Sequence, residues 1–128
     1  MKTLKLTFAG LFLAAAISPA SEVPSAEHVK WMKDLGAQMG AIRKGTDVAK
    51  NATDMQATLK LVGAYWKTRN SEVATKACGM SFKGAAAVAA AGDDKEKMMA
   101  GMKMIGGGCK GCHDPHREKI SDTDYKIK

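Results

Sequence analysis

Aromatic residues are scarce in this chain of 128 residues: Phe, Tyr and Trp together make up 5% of it. A core of this size must take its bulk from elsewhere, and nine methionines are the conspicuous alternative. Cysteine is also sparse. Three residues are too few, and an odd number, for a disulfide-built scaffold. Sustained strand-type alternation and β-branched clusters are absent, which argues against a sheet. There is no internal repeat and no low-complexity linker. The length fits one small domain and excludes a large multidomain enzyme. With 45% hydrophobic residues the composition is not that of a disordered chain. The formal charge of +7 permits an anionic partner. The lysines are spread along the chain instead of clustered, so they read as a solvated face and not as a nucleic-acid surface.

The one long hydrophobic run is N-terminal. Met1 to Lys5 carries two lysines, Leu6 to Ile17 is almost wholly apolar, and Ser18-Pro19-Ala20 follows with small residues at the positions a signal peptidase reads. This pattern predicts a cleaved leader over 1–20. The run is short for a membrane span, which takes about 20 apolar residues. Cleavage leaves 108 residues, with 18 bases against 13 acids and a net charge of +5. The remaining aromatics are Trp31, Tyr65, Trp66, Phe82 and Tyr125. The mature chain, 21–128, is expected to be exported, with no integral membrane segment.

That mature chain reads as helix throughout, in four stretches. The first runs from Ser25, as N-cap, to Lys44, with Gly45 as the stop and Val29, Met32, Gly36, Met39 and Ile42 or Arg43 as inner positions. The second begins at Thr46 or Asp47 and reaches Arg69, with Val48, Ala52, Met55, Leu59, Val62 and Tyr65 or Trp66 on one stripe. Ser71 caps the third, which continues to Ala91 with Val73, Ala77, Met80, Ala85 and Val88 inward. Asp93 caps the fourth. On it Met98, Met102, Ile105, Cys109, Cys112 and His116 fall at intervals of three or four and make one continuous face. Four amphipathic helices with short loops predict an all-α, antiparallel up-down-up-down four-helix bundle. The triplet Gly106-Gly107-Gly108 stands apart, because each glycine costs about 1 kcal/mol relative to alanine inside a helix. It marks close helix contact, room for another group, or a break in the helix.

The chemistry is concentrated in Cys109-Lys110-Gly111-Cys112-His113. This is C-x-x-C-H, the attachment sequence for c-type haem. Two thiols three residues apart on a helix share a face. They can add across the two vinyl groups of one haem, and the adjacent His113 can ligate the iron from the same side. The exported compartment agrees with such attachment. A thioredoxin-like redox pair would need a βαβ junction that the sequence lacks. A zinc site would need a second Cys/His pair at finger spacing, and none follows.

The position of the motif, in the last helix of a bundle, resembles the class II cytochromes c, the cytochrome c′ family. Ala89-Ala90-Ala91-Gly92-Asp93, Met104-Ile105-Gly106, the C-x-x-C-H pentapeptide and Arg117 are similar to the last two helices of that family. Trp31-Met32-Lys33-Asp34-Leu35-Gly36 through Ala41-Ile42-Arg43-Lys44-Gly45 resembles its low-spin, methionine-ligated branch. The chain departs from the family in carrying His116 where an aromatic usually precedes the arginine, and in being shorter between the second and third helices. The resemblance implies a monohaem periplasmic electron carrier, and it leaves monomer and homodimer both open.

Bundle geometry locates the sixth ligand. In an up-down-up-down bundle the fourth helix ends where the first begins. Residues facing His113 should lie early in helix one, late in helix two and at the start of helix three. Met32 meets this condition, while Met39, seven residues on, lies about 10 Å farther along the axis. The family comparison also puts its methionine ligand at Met32. An open site and His28, one turn earlier, are the alternatives. Tyr65 and Trp66 end helix two at the same level, where a flat ring could lie against a porphyrin. Arg117 resembles the family arginine near the haem, which implies pairing with a propionate or a carbonyl; a solvated arginine is the alternative. Cys78 is the odd thiol, either an inert buried residue or an intermolecular disulfide partner.

Two functions follow. With His113 and Met32 both on iron, the protein carries electrons between exported redox partners at an exposed haem edge. With an open sixth site it resembles five-coordinate cytochromes c′ that bind nitric oxide or carbon monoxide. A haem subunit of a periplasmic oxidoreductase complex is a third class. The sequence shows no catalytic acid, base or nucleophile set, so it is not read as an enzyme.

Overall fold

A computed structural model describes residues 21–128; the leader expected over 1–20 lies outside them. Four helices follow in order: α1 (Ala26–Arg43), α2 (Val48–Thr68), α3 (Glu72–Ala90) and α4 (Lys95–His116). The side chains of Ser25, Ser71 and Asp94 each accept a hydrogen bond from the backbone N–H three residues on, satisfying an otherwise orphaned donor. The cap of α4 is therefore Asp94, one residue beyond the expected Asp93. Gly45 (φ +73°) and Gly92 (φ +55°) turn the chain in the left-handed region after α1 and α3, where a side chain would be strained.

The helices form an all-α four-helix bundle in which α1 packs on α2, α2 on α3 and α3 on α4. The α3–α4 approach is the closest. Residues 84, 81 and 77 on α3 meet 101, 105 and 108 on α4 in opposite order, so the two run antiparallel. A Cβ added at Gly84 would lie 2.6 Å from the Gly101 carbonyl oxygen, and one at Gly108 would lie 2.8 Å from the Ser81 nitrogen. These glycines are present because the two backbones touch. The glycine triplet does not split α4, which runs unbroken across it.

The core has two layers. One holds Ile42, Ala52, Met55, Leu59, Ala85, Val88 and Ile105, flanked by Met39, Met98 and Met102. The methionines thus supply bulk that aromatics do not. The other holds Val62, Trp66, Ala74, Cys78 and Ile127, with Trp31, Met32, Tyr65 and Cys112 against it. Each fully buried large aliphatic side chain contributes about 1.5–3 kcal/mol. The inner face of α3 is Ala74, Ala77, Cys78, Ser81, Gly84, Ala85 and Val88. Val73 and Met80, expected inside, are exposed.

The chain is not helical to its end. A small antiparallel hairpin, β1 (Arg117–Lys119) and β2 (Tyr125–Ile127), follows α4. Ile127 also exchanges two backbone hydrogen bonds of 2.8 Å with Glu22, tying the C-terminus to the segment before α1. Ile127 is buried in the second layer. No described helix is long and apolar enough to cross a membrane.

Candidate haem-attachment site

The end of α4 meets the end of α2 and the start of α3, where His116 reaches Trp66 and Ser71, and the start of α1 lies on the same apolar layer. This gathers most of the residues singled out above. Cys112 packs against the layer of Val62, Trp66, Ala74 and Cys78, and Trp31, Met32 and Tyr65 pack on the same layer from α1 and α2. Cys109 lies one turn earlier against the other layer, its thiol 3.9 Å from the Ser81 hydroxyl. Both thiols are therefore turned toward the bundle interior, as positions three apart on one helix allow.

Burial pushes the Cys109 thiol up from its ordinary value, and the nearby Ser81 hydroxyl partly offsets this. The neighbouring Cys78 thiol and burial push the Cys112 thiol up, while Cys112 draws the Cys78 thiol down. His113 is half-buried. Burial lowers its pKa, the Arg117 guanidinium lowers it further, and Asp114 opposes both. The imidazole is thereby biased to the neutral form, the one that ligates a metal. An Arg117 Nη stands 3.4 Å from His113 Nδ1, and the guanidinium lies over the Tyr125 ring at 3.6 Å. His113, Asp114, Arg117, Lys119 and Tyr125 line a shallow open cleft.

On the other side of the second layer, His28 is buried among rings. Its centroid is 4.7 Å from Tyr65, 5.8 Å from Trp31 and 6.4 Å from Trp66. Its Nδ1 is buried with no hydrogen-bond partner, which is costly for a polar atom. Burial lowers its pKa, with Arg69 and then His113 adding to the effect. The Tyr65 hydroxyl donates to Glu22 (3.1 Å), which pairs with Arg69. Trp66 stacks on His116 at 4.3 Å. His116 bonds through its two ring nitrogens to Ser71 Oγ and the Lys128 carbonyl, each at 2.7 Å. This clasp joins Tyr65, Trp66 and His116 to Glu22, Ser71 and Lys128, which are distant from them in sequence or held on another element.

Haem c requires two thiols, a neutral imidazole and room for a flat ring. The described residues supply the donors. Cys109, Cys112 and His113 do so from one helix end, and His28 Nδ1 is an orphaned polar atom at the same level. Gly36 on α1 and Gly106 on α4 are exposed, and with the half-buried Gly40 they have no atom within 4 Å of where a Cβ would sit, so those helix faces are open to solvent. Along their lengths α1 and α4 make no approach like that of α3 and α4. Among the described residues no group of three or more His, Cys, Asp or Glu side chains could hold a metal ion, so a ready-built zinc cluster is absent there. No family model, curated protein or solved structure matches this chain.

Proposed function

We propose that this chain is a periplasmic monohaem c-type cytochrome that carries single electrons between exported redox proteins. One observation carries the reading. Cys109 and Cys112 turn their thiols into the bundle at the end of α4, beside a His113 imidazole kept neutral by burial and Arg117. Haem c would be held by Cys109 and Cys112, with His113 as the proximal ligand, and would supply one-electron chemistry at its iron. Met32 is assigned as the sixth ligand because it packs on the same layer as Cys112. Methionine ligation raises the potential and leaves no position for a substrate. Tyr65 and Trp66 flank the site, and Arg117 orients His113 and meets a propionate. Closely packed α3 and α4 keep the attachment residues fixed. The net positive charge favours weak encounters with acidic partner surfaces. No substrate is turned over, so the protein is not assigned as an enzyme.

Nitric oxide or carbon monoxide binding is the second reading. It applies if Met32 stays in its apolar layer with Val62 and Trp66 instead of reaching the iron. The visible spectrum of the reduced protein separates the two. A six-coordinate spectrum unchanged by carbon monoxide, converted by Met32→Ala to one that responds, supports electron transfer through a His113/Met32 pair. A spectrum that shifts at once in the unaltered protein supports gas binding and removes Met32 as a ligand.

A further inference from the structure

Cys78 has no part in the attachment motif, yet it lies on α3, the helix whose backbone touches that of α4. It is 7% exposed. Cys112 on α4 packs against the layer to which Cys78 belongs. The preceding residues fix the register: a Cβ added at Gly111 would be 3.5 Å from the Ala77 Cβ. One turn along, Ser81 donates to the Ile105 carbonyl at 2.9 Å and its hydroxyl lies 3.9 Å from the Cys109 sulfur. Cys78 and Cys112 thus belong to the same apolar layer at the α3–α4 seam, where the Cys78 Cβ also lies 3.8 Å from the place of a Cβ on Gly63 of α2. Cys109 and Cys112, three apart on one helix, keep their Cβ atoms about 5–6 Å apart, beyond the about 3.5–4.5 Å of a disulfide.

We propose that Cys78 and Cys112 form a disulfide across α3 and α4 in the folded chain before haem is attached, and that this bond withholds Cys112 from attachment. The oxidant is a disulfide-bonded thiol donor, such as oxidised glutathione or a dithiol oxidase of the exported compartment. One cysteine, as thiolate, attacks a donor sulfur to give a mixed disulfide and release one donor thiol. The other then displaces the second donor thiol. Two protein thiols lose two electrons and two protons, and the donor disulfide gains both as two thiols. A thioether forms by adding S–H across a vinyl double bond, so a Cys112 held in a disulfide cannot react. A dithiol reductant reverses the exchange and restores it. The disulfide stands without the cytochrome reading, while its effect on attachment rests on that reading.

The test uses the full chain prepared without haem, reduced, and then exposed to oxidised glutathione either in native buffer or in strong urea. After alkylation of the remaining thiols, trypsin cuts at Lys76, Lys83, Lys103, Lys110 and Arg117 and separates the three cysteines into peptides 77–83, 104–110 and 111–117. In native buffer the expected product is 77–83 joined to 111–117. In urea the shorter loop favours 104–110 joined to 111–117. A native map showing the latter pair, or three alkylated thiols, overturns the disulfide. In a second arm, ferrous haem is offered to the oxidised chain, the reduced chain and oxidised Cys78→Ser, and haem surviving acid-acetone extraction is measured. Haem found by tryptic mapping on both 104–110 and 111–117 in the last two, and never on 111–117 in the first, supports the gate, while haem on 111–117 in all three overturns it. A reduced chain that retains no haem overturns the cytochrome reading and leaves the peptide map to decide the disulfide.

Discussion

Gly84 of α3 and Gly101 of α4 lie backbone against backbone: a methyl group at Gly84 would stand 2.6 Å from the Gly101 carbonyl oxygen and 2.8 Å from the Ile105 nitrogen. Neither neighbour is the end of a flexible side chain, so neither can give way. Gly84→Ala should lower stability by about 1–3 kcal/mol, the usual cost of overpacking. Gly106→Ala, on the same α4 but with nothing within 4 Å, should raise it by about 1 kcal/mol through helix propensity. Denaturant unfolding of the two variants checks the contrast.

The C-terminal tail behaves as a strap. Ile127 buries its side chain against Val62 and Trp66 while its backbone bonds Glu22. Ile127→Ala should cost about 2–4 kcal/mol by leaving a cavity. His116→Ala removes both ring hydrogen bonds and the Trp66 stack, and should cost about 1–3 kcal/mol. Thermal melts of both variants measure this.

Stability should also respond to acid through His28. Burial, Arg69 and His113 hold its pKa below the ordinary 6.5. Between the folded and unfolded values the unfolded chain binds a proton that the folded chain refuses. The folded state is therefore at full stability above pH 6.5 and loses stability as pH falls below it toward the lowered folded value. His28→Gln should flatten this loss, as read from denaturant midpoints between pH 7 and pH 5.

Much of this arrangement was legible in the sequence, for local reasons. Ser25 and Ser71 mark helix starts because a cap is a contact over three residues. The α2 stripe from Ala52 to Trp66 marks a buried face because its large apolar residues outnumber its small ones. The C-x-x-C-H spacing is likewise read from the sequence, and haem attachment there is what we propose. The inner face of α3 was misread at Val73 and Met80. Hydropathy favours the larger side chain, whereas contact with the glycines of α4 selects the face of alanine, serine and glycine. The hairpin was missed because strands of three residues carry no period to detect. The nearness of Cys78 to Cys112 and of Ser71 to His116 depends on packing between helices, which no short window of sequence contains.

The central claim is covalent haem on Cys109 and Cys112, and the intact mass of the protein isolated from the exported fraction tests it most directly. The expected result is the mass of residues 21–128 plus one haem, lost to the chain's own mass in a Cys109→Ala, Cys112→Ala double variant. A mass equal to the bare polypeptide, in cells that attach haem to another c-type cytochrome, would contradict it.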